Sequence, residues 1–246
     1  MENIFLVSLF WDCFPSLLSR LHVTLAIVAA ALALGAVLGT GVAVARLYKI
    51  PVLAPLAAVY VSFIRGIPIL VLLYIVYIGL PLVVAGLTGV NINRWDTLVF
   101  VMIAYVINVS AFLSEIIRSA VGGVDVGQSE AAYAVGMTRW QAFRRIVAPQ
   151  AVRIAIPALG NTVVSLLKDT SLAYTLGVID VIGVINAISA STHRSLEAYA
   201  AAAIIFFALS SLLEQVFKRL ERRLGAKNTG MPGQKPQRSE IATVGG

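Results

Sequence analysis

Charged and hydroxyl side chains in apolar surroundings are the residues of this 246-residue chain best placed to do chemistry. Lys168, Asp169, Thr170 and Ser171 form a polar run at the end of a long apolar stretch, and Glu115 stands near the end of another. A charge at the centre of a membrane helix costs about 2.5–3.5 kcal/mol on insertion scales, so such residues face protein or water rather than lipid. Two arrangements meet that demand. Either Glu115, Lys168 and Asp169 line a path for a solute, with Thr170 and Ser171 adding neutral hydrogen bonds, or Lys168 pairs with Glu115 or Asp169 and only orients helices. Arg65 poses a similar choice between a path residue and a charge satisfied by carbonyls that a break at Pro68 sets free.

Other chemistry is absent from the sequence pattern. Cys13 is the only cysteine, and His22 and His193 are isolated polar residues rather than ligands, so no metal spacing exists. No nucleophile–base pair stands out, and no catalytic residue is assigned. There is no GxxxxGK[ST] phosphate loop, so the chain cannot hydrolyse ATP through that machinery and is expected to bind no cofactor itself.

A second feature is built for binding rather than reaction. Residues 125–149 read DVGQSEAAYAVGMTRWQAFRRIVAP, the longest polar-rich interval between two apolar spans. Asp125 and Gln128 have capping-box spacing, as do Thr138 and Gln141, which predicts two short helices. Gly136 supplies the left-handed corner between them, and Pro149 is expected to close the second. Glu130 can pair with a basic partner or support the helix start, while Ala131 and Ala132 let a partner approach the backbone closely. Trp11 and Trp95 are expected as interface anchors; Trp140, inside the loop, is expected to pack its corner.

The elements that must hold these residues are membrane helices. The chain is 59% hydrophobic and 13% charged, with mean hydropathy +0.89, whereas a soluble domain carries roughly 25% charged residues. Apolar spans are expected near residues 23–45, within 50–90 with a break near Pro68 and an exit around Leu80-Pro81, and near 95–117, 152–167 and 198–213. The stretch 171–191 could make a sixth, but that would place the basic C-terminal segment outside. Five spans with the N-terminus outside instead put most of the 19 basic residues on the inner side. The net charge of +7 thus reflects membrane topology and not nucleic-acid binding. Residues 1–20, broken by Asp12 and Pro15, are expected to lie in the interface as a segment separate from the membrane domain at 21–224. Residues 225–246, rich in Gly, Pro and Lys, are expected to be a disordered cytoplasmic tail. Gly35, Gly39 and Gly41, like the alanines at 198–203, permit close helix packing within one subunit or across a dimer seam.

Several separated stretches, in order, resemble one family. Glu130-Ala131-Ala132 with Gly136, Ile146 and Pro149 matches the EAA motif of ABC importer permeases, although Ile-Val-Ala-Pro stands where many members have leucine before the proline. The runs YVSFIRGIP (60–68), GLP (79–81), AFLSEIIR (111–118), LGN (159–161) and LKDTSL (167–172) look like its polar-amino-acid branch. The similarity covers about residues 20 to 223. It implies an all-α membrane protein of the type I importer permease fold, multi-pass in a bacterial inner membrane, and a transport subunit rather than an enzyme. The implied partners are a cytoplasmic ABC ATPase dimer that binds ATP and Mg, an external solute-binding protein and a second permease chain, identical or paralogous. Under this resemblance Glu130, Ala131, Ala132, Gly136 and Trp140 engage the ATPase. Lys168 then meets a substrate carboxylate, and Glu115 or Asp169 its ammonium. Residues 188–207 (ISASTHRSLEAYAAAAIIFF) look like permeases for cystine and other sulfur amino acids. The other functional class is a stand-alone secondary carrier or channel with a regulatory cytoplasmic loop. Such a carrier is expected to show internal repeats, and no convincing repeat is visible.

Overall fold

Long apolar runs fold here into helices, which satisfy their own backbone hydrogen bonds away from water, and the computed structural model, which describes residues 5–225, contains no strand among them. Five helical runs are long and apolar enough to cross a membrane: Val7–Leu47, Ile69–Thr88, Thr97–Gly122, Arg139–Leu176 and Leu196–Arg223. This agrees with the five-span expectation. The expected tail lies outside the described residues.

Helix α1 (Val7–Leu47) has 41 residues and is about 60 Å long. No boundary separates its start from the first span, contrary to the expected break at residue 20. Pro15 removes one helical hydrogen bond, but Cys13 and Leu17 on either side are buried against Val181, Ala198 and Ala201, which holds the helix through the gap. The start is also fastened, since the Leu6 N–H donates to Oε1 of buried Glu197 at 2.9 Å.

The following α2 (Leu53–Gly66) ends where Ile67 turns extended ahead of Pro68, as expected. The chain then re-enters the helix as α3 (Ile69–Tyr74), passes a wide π-turn at Ile75–Gly79 and continues as α4 (Leu80–Thr88). The exit expected at Leu80-Pro81 therefore does not occur. Pro81 falls in the first turn after the wide turn, where its missing N–H is tolerated, and the helix runs on to Gly89.

Helix α5 (Thr97–Gly122) is the axis of the bundle, capped by Asp96 and burying Phe100, Val101, Tyr105 and Val109. Two glycines let α1 lie directly on it. A methyl on Gly35 would fall 2.8 Å from Cγ1 of Val109, and one on Gly39 would fall 2.7 Å from the Ser110 carbonyl oxygen. These small residues therefore serve packing within the subunit, as do buried Ala198, Ala201 and Ala202.

After the loop helices α6 (Val126–Ala134) and α7 (Arg139–Ala142), a second π-turn at Phe143–Val147 leads into α8 (Ala148–Asp169). Pro149 does not close a helix. It sits in the first turn of α8, behind a wide turn, as Pro81 does in α4. A 3-10 segment, Thr170–Leu176, extends α8, and α9 (Val181–Thr192) follows, capped by Asp180. At 12 residues, or about 18 Å, α9 is too short to cross a bilayer. Residues 171–191 make no sixth span. Helix α10 (Leu196–Arg223) completes the bundle, with Phe217 packed where a methyl on Gly160 of α8 would fall 2.9 Å from its ring.

Candidate functional site

The loop after α5 forms an elbow. Asp125 Oδ1 accepts from the Gly127 N–H at 2.7 Å and starts α6. The expected reply from Gln128 is missing, because its side-chain oxygen faces the Gln150 amide of α8 instead. At the second helix the capping box is complete: Thr138 Oγ1 accepts from the Gln141 N–H, and Gln141 Oε1 accepts from the Thr138 N–H. Gly136 takes φ +83° at the corner with open space around its α-carbon. Its glycine is required by backbone conformation and not by crowding.

Ala132 is buried inside the elbow, while Glu130 and Ala131 are exposed. Trp140 does not pack the corner. It stacks on Phe143, ring centroids 6.0 Å apart, and stays 63% exposed. A large aromatic held in one orientation yet exposed is a surface feature that a partner can cover.

Glu115 is fully engaged in an ion-pair cluster, with partners other than Lys168. Arg46 Nη1 donates to Oε2 at 2.7 Å, and Arg118 Nε donates to the same oxygen at 3.2 Å while its Nη2 reaches Oε1. The cluster ties the C-terminal ends of α1 and α5 together, so Arg46, Arg118 and the elbow share one end of the bundle. Half of it was readable, since Glu115 and Arg118 stand at i, i+3 on one helix. Arg46 carried only a topological signal.

Asp169 and Lys168 do not pair with each other. Adjacent residues on a helix point about 100° apart, and Lys168 is exposed on a different face of α8. Thr170 is buried, and its hydroxyl donates to the Leu167 carbonyl at 2.6 Å; that of Ser171 donates to the Lys168 carbonyl at 2.7 Å. Both hydroxyls thus stabilise the turn into the 3-10 segment. Tyr105, unmarked in the sequence, is fully buried and donates from its hydroxyl to the Asp169 carbonyl at 2.5 Å, fixing the end of α8 to the middle of α5.

Between α5 and α8 runs a mainly apolar groove with a few polar side chains, in two adjoining parts. A cleft of about 360 Å³ is lined by Arg65, Phe112, Glu115, Asn161 and Thr162 among others. A second, of about 160 Å³, is lined by Asn108, Phe112, Asn161, Thr162, Ser165 and Asp169. Phe112, Asn161 and Thr162 belong to both. Glu115 and Asp169 therefore open on one groove, whereas Lys168 lines neither part. Of the two readings of Arg65, satisfaction by freed carbonyls is not met: its guanidinium lies over the Phe112 ring, 5.4 Å from the centroid. The side chains of Asn108, Asn161 and Ser165 donate to no other described residue. These amides were legible only as polar interruptions of apolar spans.

Residues 33–226 match the model of a family described as binding-protein-dependent transport system inner membrane component. The chain belongs to this family. It is a permease, a multi-pass inner-membrane transport component and not an enzyme. The resemblance drawn from the EAA-type loop is thereby borne out. Membership implies an ATPase and a substrate-binding protein as partners.

The permease is 43% identical to the L-cystine transport system permease protein TcyL of Bacillus subtilis (strain 168) over 229 residues, 93% of this chain and 95% of that one. It is 33% identical to the glutamine transport system permease protein GlnP of Escherichia coli (strain K12) over 217 residues, 88% of this chain and 96% of that one. A crystal structure of an amino acid ABC transporter with histidines matches with TM-score 0.79 at 32% identity, covering 91% of this chain and all of that one (100%). The inward-facing MetNI methionine ABC transporter, at TM-score 0.64 and 17% identity, shares the fold over 89% of this chain and 99% of that one.

Proposed function

We propose that the permease serves an ATP-driven importer of amino acids, with cystine or another sulfur amino acid as its cargo. The observation that carries this reading is continuity. Helix α7, the π-turn, α8 and the 3-10 segment form one unbroken run, Arg139–Leu176, so force applied at the elbow is transmitted to the α8 wall of the groove. A partner ATPase, holding ATP and Mg, grips the elbow at Glu130 and Ala131 and over Trp140. Ala132 and Gly136 keep its shape. Closure of the two ATPases then shifts α8 against α5 and opens the groove alternately to the two sides.

In this scheme the elbow and the basic ends of α1, α5 and α10 face the cytoplasm, in line with the positive-inside rule, and the N-terminus faces outside. A second permease chain, identical or paralogous, completes the transporter. In the groove Asp169 receives the substrate ammonium, and the amides of Asn108 and Asn161 with the Ser165 hydroxyl supply neutral hydrogen bonds. Glu115 acts through Arg46 and Arg118 as a brace at the groove's end. Lys168, exposed on another α8 face, is assigned to contact with a neighbouring chain. Thr170 and Ser171 keep Asp169 in place.

The test is reconstitution of the permease with its ATPase and binding protein in proteoliposomes. ATP-dependent accumulation of labelled L-cystine is expected. Transport that persists with no ATPase present would overturn the importer reading, and accumulation of a different amino acid with no response to cystine would overturn the cargo.

A further inference from the structure

The turn between the 3-10 segment and α9 carries a carboxyl group that the transport scheme does not use. Asp180 is fully buried, at 0% exposure. Its Oδ1 accepts from the Gly183 N–H at 3.0 Å and so caps α9. Its Oδ2 is sealed from solvent and meets no hydrogen-bond partner among the described residues. Apolar neighbours close the site. A methyl on Gly183 would fall 3.2 Å from Cγ2 of Ile179 and 3.3 Å from the Tyr174 ring. Val181, the next residue, is packed with Cys13 and Leu17 of α1 and with Ala198 and Ala201 of α10.

No ion pair includes Asp180 among the described residues. Of the ionisable groups on the elements around it, Tyr105 of α5 is committed to the Asp169 carbonyl, and Asp169 is itself acidic. The 3-10 segment presents Tyr174, and α1 contributes the Cys13 thiol. Helix α10 contributes Glu197, whose carboxylate is taken by the Leu6 N–H and Arg194. Arg20 and His22 of α1, Lys168 of α8 and His193 after α9 are exposed. Taking an ionised carboxylate out of water without a partner costs far more than taking out a neutral acid. One N–H bond and the start of a 12-residue helix oppose that cost. Burial outweighs them and pushes the carboxyl up to about 6.

We propose that Asp180 is a proton-binding site that seats α9 against α1 and α10. A proton taken from water onto Oδ2 leaves a neutral acid in the core, and α9 stays packed. Its return to water leaves an unpartnered charge there, and α9 loosens. An ordinary aspartate titrates near about 3.9, and in the packed state this one holds its proton more tightly. The seating it provides is therefore complete below about pH 3.9 and lost as pH rises through about 6. Because the 3-10 segment joins α9 to the end of α8, the proton also sets how firmly that end is held. The site operates whatever the cargo.

Cys13 reports on the seating, being buried in the cluster that α9 completes. The experiment uses the complete transporter in proteoliposomes and follows alkylation of Cys13 by N-ethylmaleimide, read on its peptide by mass spectrometry. Thiol reactivity itself rises with pH, so each rate is divided by that of Asp180→Asn, which keeps an acceptor for the Gly183 N–H and cannot ionise. The ratio of wild type to variant is expected to rise at least about threefold between about pH 5 and about pH 7.5. Asp180→Ser, which also caps a helix without a carboxyl, is expected to give the same trend. A ratio that does not change with pH overturns the proposal. So does a ratio at about pH 7.5 that sodium chloride lowers and choline chloride does not, since the site then holds a metal cation and not a proton. If neither variant assembles with the ATPase, an ionised carboxylate is required at the cap and the proposal fails.

Discussion

Gly136 and Glu115 show how differently single residues enter this permease. Gly136 meets nothing within 4 Å, yet its φ of +83° is one that side chains with a Cβ rarely adopt. A valine there is accommodated by space and resisted by backbone, at about 1–2 kcal/mol. Gly136→Val is therefore expected to distort the elbow and uncouple transport from ATP hydrolysis, while insertion and the bundle's melting temperature hardly change. Substrate-stimulated ATPase activity in proteoliposomes is the measurement, and full coupling in the variant would remove the elbow's shape from the mechanism. Glu115 is the opposite case, held by its partners and not by its backbone. Its carboxylate joins Arg46 of α1 to Arg118 of its own helix. A double-mutant cycle with Arg46→Ala and Glu115→Ala should give a coupling free energy of roughly 0.5–3 kcal/mol in detergent unfolding. Strictly additive effects would mean that the contact contributes nothing.

At the scale of elements, close contact and wide turns decide which parts can move. Helices α1 and α5 touch backbone to backbone at Gly39, where a methyl would sit 2.7 Å from a carbonyl oxygen that cannot swing away. Gly39→Ala should lower stability by about 1–3 kcal/mol, the range for overpacking. Gly41→Ala, with nothing within 4 Å, should be neutral or slightly stabilising. Thermal melts of the two purified variants separate these outcomes, and equal melting temperatures would contradict the packing argument. Because α1 and α5 are locked in this way, and their ends are clasped by Glu115, the import cycle we propose assigns its relative motion to α8. That helix is bound to the elbow through the π-turn Phe143–Val147 and to α5 through the Tyr105 hydroxyl.

For the whole molecule the decisive matter is which end of the bundle faces the ATPase. The elbow, Arg46 and Arg118 lie at one end, and the α4–α5 connection with exposed Val90 lies at the other. In a Cys13→Ser background, Ala131→Cys should react with a membrane-impermeant maleimide only after the membrane is opened. Val90→Cys should react in intact cells. The reverse pattern would invert the proposed orientation and remove ATP from the elbow's side.

The sequence by itself determined what is local. Apolar length and charge placement gave five spans, and side-chain oxygens at fixed spacing gave the Thr138–Gln141 cap. A glycine flanked by two helical patterns gave the corner at Gly136. These follow from interactions a few residues apart or from transfer between water and lipid, which do not depend on the rest of the fold. The pairing of Glu115 with Arg46 is set by how α1 crosses α5, and no spacing in the chain encodes that. The same holds for the groove, where Arg65, Phe112, Asn161 and Asp169 come from three helices. Continuity also escaped local reading. Pro15, Pro81 and Pro149 each looked like a break, yet burial of Cys13 and Leu17 and the wide turns ahead of the later two carry the helices past them. A proline removes one donor, and only the packed structure decides whether its surroundings make good that loss.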